Sequence, residues 1–534
     1  MVGFLRGVGL TGLMARLPFR MAVTGLAAFF LLCSCSREKI SFEIVSGSEN
    51  KALEEMIRQF AKDNRVDLRM HYKGSVDMML DLREQKVTAD AVWPASSIWL
   101  NLGDRHRVTK HARSIMYSPV VFGIAGAKAR ELGFVGKEVR VADILRAVES
   151  GKLSFAMTSA SQSNSGASAY LGFLYALSNS PEVLTEKHLE DPAVQSGIKR
   201  LLAGVNRSSG SSGWLKELFL KGGYDAMVNY ESLIIETNQE LARMGKDPLH
   251  VVYPVDGIVI ADSPLAYVDH GDPRKEEFFR KLQAYLLDRK VQQRLLDLGR
   301  RTAFGGKYGP EVWKSEWGID SEKLLSPLKL PAPDVIQDAL VRYQTLFRKA
   351  SNTVYVLDFS GSMRGDGETQ LKNAMRLLLD PAESSRYLLQ NAPADRITVI
   401  PFNTTVSHVW KAEARDAGAL RNLVARVESL DPSGGTDMYT PLAQAVSLLC
   451  TGDFTASFPA VVLMTDGKSN SGPGPEVLRR AASRCGKEVP VFSILFGDAD
   501  RIQLDEVSGL TRGKVFDGRA DLVAVFREVK GYNQ

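Results

Sequence analysis

Asp358, Ser360 and Ser362 stand at alternate positions directly after the apolar run at residues 354–357. A strand that ends in one carboxylate and two hydroxyls, with Gly361 allowing a tight turn, gathers three oxygen donors at one place. Ser433-Gly434-Gly435-Thr436-Asp437 adds a further hydroxyl from a glycine-rich loop. A second apolar run at 460–464 then leads into Thr465-Asp466-Gly467, again a strand closing on a carboxylate. Oxygen donors without His or Cys suit a hard cation, Mg2+ first and Mn2+ or Ca2+ as alternatives, rather than zinc. The candidate metal ligands are therefore Asp358, Ser360, Ser362, Thr436 and Asp466.

These residues need a sheet edge to hold them. Helical periodicity at 369–379 after the first strand, and at 441–450 after the Thr436 loop, describes strand–turn–helix units. In such units ligands collect at the carboxyl ends of parallel strands. Further strands are expected at 396–401, 489–496 and 514–516, with a hairpin at 406–410. Further helices are expected at 420–427, 475–484, 501–508 and 521–529, giving a doubly wound sheet of about six strands. DxSxS, a loop Thr and a strand-end TDG in this order resemble the von Willebrand factor A domain, a Rossmann-like α/β fold. The resemblance implies a metal-ion-dependent adhesion site at the five residues named, gripping an acidic side chain of a protein partner through the ion.

Residues 40–335 read as a separate α/β unit. Three strands, at 40–45, 66–72 and 89–93, each end in a small hydroxyl-bearing loop at a helix start. Ser46 and Ser48, Ser75, and Ser96 occupy these loops, and Ser163 and Ser165 stand in a similar one before a helix at 167–177. Backbone N–H groups at helix starts and hydroxyls make a cradle for an anion or a carboxylate, whereas each serine alone is also an ordinary helix cap. The pattern resembles extracellular solute-binding proteins of the two-lobed periplasmic type II. The resemblance implies a small solute held between the lobes by these six serines, a first crossover strand at 115–124 and a return crossover at 253–257.

The boundaries follow from composition. Residues 36–332 form the two-lobed unit, 333–350 an amphipathic linker helix beyond the proline-rich stretch 326–333, and 351–534 the A domain. The linker's apolar side (Ile336, Leu340, Tyr343, Phe347) is expected to dock rather than swing free. Residues 1–34 have the form of a signal peptide, with a short apolar core at 21–32 behind Arg16 and Arg20. Leu32-Cys33-Ser34-Cys35 resembles the bacterial lipobox, which implies cleavage before Cys35, a lipid on that cysteine and attachment to the cell envelope at the membrane surface. An ordinary signal peptide or a buried N-terminal helix are the alternatives. Cys450 and Cys485 then remain in an oxidising compartment near the ends of helices that precede successive strands, and a disulfide between them is expected over two free thiols.

Past residue 34 the chain carries 64 basic against 62 acidic side chains, so no nucleic-acid footprint is indicated. No G-x-S-x-G elbow, phosphate-binding Walker loop or HExxH helix is present, and Ser360 stands where a phosphoryl-transfer aspartate pair would need a second Asp. A binding protein, not an enzyme, is expected. The first reading is a lipid-anchored envelope protein that grips a protein partner through its cation and senses a solute. The alternative is the substrate-binding component of an ABC-type uptake system with an accessory A domain.

Overall fold

A computed structural model describes residues 39–323, 325, 328–466, 468–495, 500–519 and 522–532. The expected signal segment and Cys35 lie outside the described residues.

The first strand, β1 (Ile40–Ser46), buries Phe42 and Ile44 and leaves Ser41 and Glu43 facing outward, the period of a half-buried strand. β2 (Val66–Tyr72) repeats this with Val66, Leu68 and Met70 inward. With β3 (Ala91–Trp93) and β4 (Thr109–Ser114) they belong to the first lobe's sheet. β5 (Ser118–Ala125), β6 (Phe155–Thr158), β7 (Val205–Ser209), β8 (Ala226–Tyr230), β9 (Leu249–Val252) and β10 (Ile260–Ala261) form the second lobe's sheet. β11 (Pro264–Val268) returns to the first, antiparallel to both β3 and β4, in the order β2-β1-β3-β11-β4. Chain crossings between the lobes therefore fall at 114–118 and 261–264. The return crossover expected at 253–257 is corrected: Pro254 and Gly257 turn the chain within the second lobe, and the crossing comes several residues later. Three helices start where strands of the two lobes end: α1 (Ser75–Arg83), α2 (Asn164–Leu177) and α3 (Ser212–Leu220).

The linker begins as α4 (Pro333–Arg342), with Pro at a position whose missing N–H costs nothing. It then widens into a π-helical turn at Tyr343–Phe347 instead of running on as one α-helix. Ile336, Leu340, Tyr343 and Phe347 join the second lobe's core. The Tyr170 hydroxyl donates to the Ala339 carbonyl at 2.9 Å, and the Tyr170 and Tyr343 rings meet edge to face.

The C-terminal sheet runs β14-β13-β12-β15-β16-β17. Its strands are β12 (Ala350–Asp358), β13 (Arg396–Phe402), β14 (Trp410–Glu413), β15 (Ser457–Thr465), β16 (Val491–Leu495) and β17 (Lys514–Asp517). All pairs are parallel except the edge pair β13–β14. The expected hairpin at 406–410 is shifted, because only Val406 bridges back to Phe402 before the pairing resumes at Trp410. Tyr355 and Leu357 pack into one core and Val354 and Val356 into the other, so the run reads as continuously apolar because helices cover both faces. These include α5 (Asp366–Leu379), α6 (Tyr439–Cys450), α7 (Glu476–Cys485) and the last helix, α8 (Leu522–Gly531). A disulfide joins Cys450 to Cys485 at the ends of α6 and α7. No described helix is long and apolar enough to cross a membrane.

Candidate metal and solute sites

Asp358 closes the central strand β12, where the parallel neighbours β13 and β15 also end. Its side chain is fully buried. Oδ1 accepts the Ser360 N–H at 2.8 Å and Oδ2 the Thr465 hydroxyl at 2.6 Å. The Ser360 and Ser362 hydroxyls are 3.1 Å apart, and Ser362 donates to Asp466 Oδ1 at 2.9 Å. Asp358, Ser360, Ser362 and Asp466 thus form one hydrogen-bonded chain. Burial raises the pKa of Asp358; hydrogen bonds from Thr465 and Ser360 oppose the rise, and the nearby Asp466 charge adds to it.

Thr436 is not part of this hydrogen-bonded chain, though its loop is tied to it through the backbone. The turn after β12 is tied to its loop by the Gly361 N–H on the Gly434 carbonyl at 3.0 Å and the Ser433 N–H on Phe359 at 2.8 Å. Gly434 has φ +78, a conformation that favours glycine. Beyond it the buried Thr436 donates its N–H to Asn470 Oδ1 at 2.9 Å, and its carbonyl accepts the Asn470 and Ser471 N–H groups. Thr465 and Asn470 were not among the sequence candidates. The signal for Thr465 was its place beside Asp466, on the strand next to Asp358.

The donor set fits a divalent cation. Two carboxylates in a partly dehydrated pocket, flanked by hydroxyls, are hard oxygen donors of the kind such a cation takes. Among the described residues no three His, Cys, Asp or Glu side chains converge, and a cation held here would take its remaining protein donors from hydroxyls.

The second site is a cavity of about 850 Å³ at the junction of the lobes. Ser48, Ser75 and Ser163 line it. Ser46, Ser96 and Ser165 are spent elsewhere. The Ser46 hydroxyl accepts from Asn50 at 3.0 Å, Ser96 caps the helix at Ser97–Gly103, and Ser165 bonds to Thr158 at 2.8 Å and Ser212 at 2.7 Å. Sequence reasoning missed a fifth serine loop, at 208–213, whose Ser211 and Ser212 line the cavity with Tyr230. Its signal was the same as in the other loops: hydroxyls and glycine between a strand and a helix.

The lobes touch directly at this place. Ser48 Oγ accepts the Gly213 N–H and the Ser211 hydroxyl, each at 3.0 Å. The Val76 N–H reaches the Gln162 carbonyl at 3.1 Å, and Trp99 Nε1 donates to Asn164 Oδ1 at 2.7 Å.

Residues 43–301 match the family model of bacterial extracellular solute-binding proteins, and residues 353–468 match that of the von Willebrand factor type A domain. The human inter-alpha-trypsin inhibitor heavy chain H6 is 30% identical over 175 residues, which is 30% of this chain and 13% of that protein. Heavy chain H2 of Mesocricetus auratus is 26% identical over 172 residues, 30% of this chain and 17% of that protein. The chain thus spans under a fifth of the length of these relatives. Among solved structures, the sulfate-binding protein SubI from Mycobacterium tuberculosis H37Rv superposes with a TM-score of 0.39 at 16% identity, over 56% of this chain and 96% of that one. A periplasmic thiamin binding protein gives 0.45 at 12% identity, over 58% and 97%.

Proposed function

We propose that this chain, which joins a bacterial extracellular solute-binding domain to a von Willebrand factor type A domain, is an envelope binding protein that grips an acidic protein partner through a divalent cation. The observation that carries the reading is the hydrogen-bonded chain of Asp358, Ser360, Ser362 and Asp466 at the carboxyl edge of a parallel sheet. Ser360, Ser362 and Thr436 would hold Mg2+ through hydroxyls, with Asp358 and Asp466 supplying charge directly or through water. The cation supplies electrophilicity that two carboxylates do not fully compensate. Asp358 is fixed by Ser360 and Thr465 and cannot swing to shield the site, so a carboxylate from outside is the natural further donor.

The solute-binding domain supplies the second activity, capture of a small solute in the cavity lined by Ser48, Ser75 and Ser163. The described contacts make the domains one packed body, which favours a sensor in which solute and partner are held by the same assembly. Lipid attachment at Cys35, as the lipobox resemblance implies, would keep that assembly on the envelope surface. The test is capture on the immobilised chain from detergent-solubilised envelope: a partner retained in Mg2+, released by chelator and absent from a Ser362→Ala column supports the reading. Retention that ignores both chelator and Ser362→Ala contradicts it.

A further inference from the structure

The cavity between the lobes has a wall that the solute-binding domain does not supply. Lys514 and Asp517 of β17, and Val525 and Glu528 of α8, line it from the A domain. They are held there by contacts to both lobes. Arg527 pairs with Asp77 on α1 of the first lobe. Ser208 of the second lobe donates to the Gly531 carbonyl at 2.9 Å, and the Trp214 and Tyr532 rings meet edge to face at 4.7 Å.

Several features that would favour an anion are already engaged. Of the helix-start N–H groups, Val76 is bonded to the Gln162 carbonyl, Gly213 to the Ser48 hydroxyl and Trp214 to the Ser211 hydroxyl. The ammonium groups are engaged too: Lys73 pairs with Asp81, and Lys514 donates to Glu528 at 2.7 Å and to the Tyr532 hydroxyl at 2.8 Å. Carboxylates outnumber ammonium groups in the lining, Glu43, Glu49, Asp77, Asp517 and Glu528 against Lys73 and Lys514, with His71 beside Glu43; Asp77, Asp517 and Glu528 are themselves paired with Arg527, Arg519 and Lys514.

Glu49 is the group left over. It lines this cavity and also a second, small and mainly apolar one that it shares with Tyr230, Ser263 and Arg300. Its Oε1 is buried without a hydrogen-bond partner. Burial pushes its pKa up to about 7, against the pull of its own backbone N–H and of Arg300. Arg300 is shared: its guanidinium pairs with Glu236 and donates to the Glu49 carbonyl at 2.9 Å. A buried carboxylate oxygen without a donor is costly, and an arriving cation removes that cost.

We propose that this cavity is a three-walled site for an organic cation, whose ammonium group is received by Glu49 and over which the A domain closes. It rests on the solute-binding reading above and narrows it to one charge class. A volume of about 850 Å³ admits a multi-carbon amine, and the hydroxyls of Ser48, Ser163, Ser212 and Tyr230 line it, each already hydrogen-bonded within the protein with an oxygen that can accept further. Because α8 and β17 form one side, affinity depends on A-domain residues as well as on the lobes.

Thermal shift and calorimetric titration of the full chain test this with putrescine, spermidine and choline as cation probes and sulfate and phosphate as anion probes. The expected result is stabilisation by one or more of the amines and not by the anions. Glu49→Gln should weaken amine binding at least tenfold, Glu49→Asp should retain more than Gln does, and Glu528→Arg should weaken binding several-fold from the A-domain side. Glu506→Arg, on a helix that does not line the cavity, should leave it unchanged. Anion binding without amine binding overturns the cation assignment while leaving the cleft a solute site. Undiminished amine binding in Glu49→Gln overturns the role of Glu49, and in Glu528→Arg the third wall. Silence of every probe overturns both this proposal and the solute-binding reading.

Discussion

Arg527, on the last helix of the A domain, forms a buried ion pair with Asp77 on the first lobe, 450 residues earlier in the chain. Each side chain is about 5% exposed, and burial outweighs the Arg527 charge so that the Asp77 pKa is raised. Removing Asp77 leaves the buried Arg527 with only the longer contact to Asp81 at 4.0 Å, and breaking such a buried pair typically costs about 3–5 kcal/mol. Asp77→Ala should therefore lower stability by that order, whereas Asp77→Leu with Arg527→Met should recover most of it. Calorimetry of the two variants checks this, and a loss under about 0.5 kcal/mol for Asp77→Ala contradicts the pair's role in docking the domains.

The Cys450–Cys485 disulfide closes a loop with a sequence separation of 35. Loop-closure entropy for that length corresponds to about 4 kcal/mol of destabilisation on opening. Replacing both cysteines with alanine should lower the unfolding midpoint of the A domain and make it insensitive to reductant. Two alkylatable thiols in denatured, non-reduced protein would contradict the bridge.

Lys530 supplies a pH signature. Burial, then the neighbouring Arg348 charge, lowers its pKa from 10.5 to about 7, with Asp395 opposing. Between those two values the unfolded chain binds a proton that the folded chain does not, so stability rises with pH across the window. The stability of the native chain relative to Lys530→Met should increase from pH 7 towards pH 10, by at most about 1.4 kcal/mol per unit. Denaturant unfolding at a series of pH values measures it; a constant difference contradicts the lowered pKa.

The two sites differ in how far the sequence discloses them. Asp358, Ser360 and Ser362 lie within five residues, and the strand, turn and helix that place them are written in the same short stretch. The cavity is different. Whether Ser96 caps a helix or faces a ligand depends on how that loop packs, and its bond to the Ile98 N–H settles it towards the cap. Ser48 is engaged by Ser211 and Gly213, 163 and 165 residues away, which no local pattern encodes. The A-domain wall is less legible still, because Asp77 and Arg527 carry no motif at all. The return crossover was misplaced for a related reason: Pro254 and Gly257 signal a turn but not which lobe follows it.

Cys35 tests the anchoring proposal independently of the fold. Cys35→Ala should move the protein from the membrane fraction to soluble or unprocessed forms, as read by fractionation and by the mass of the N-terminal peptide. A cleaved Cys35→Ala chain that stays with the membrane contradicts lipid attachment.

The central claim is the cation at the end of β12. Isothermal titration of the chain with Mg2+ and Mn2+, compared with the Asp358→Ala, Ser360→Ala double variant, tests it most directly. The account predicts one saturable site in the native chain and its loss in the double variant. The A-domain fold should be retained, because the two residues stand at the carboxyl end of β12, beyond the apolar run of the strand. Equal cation binding by the two proteins, or none by either, contradicts it.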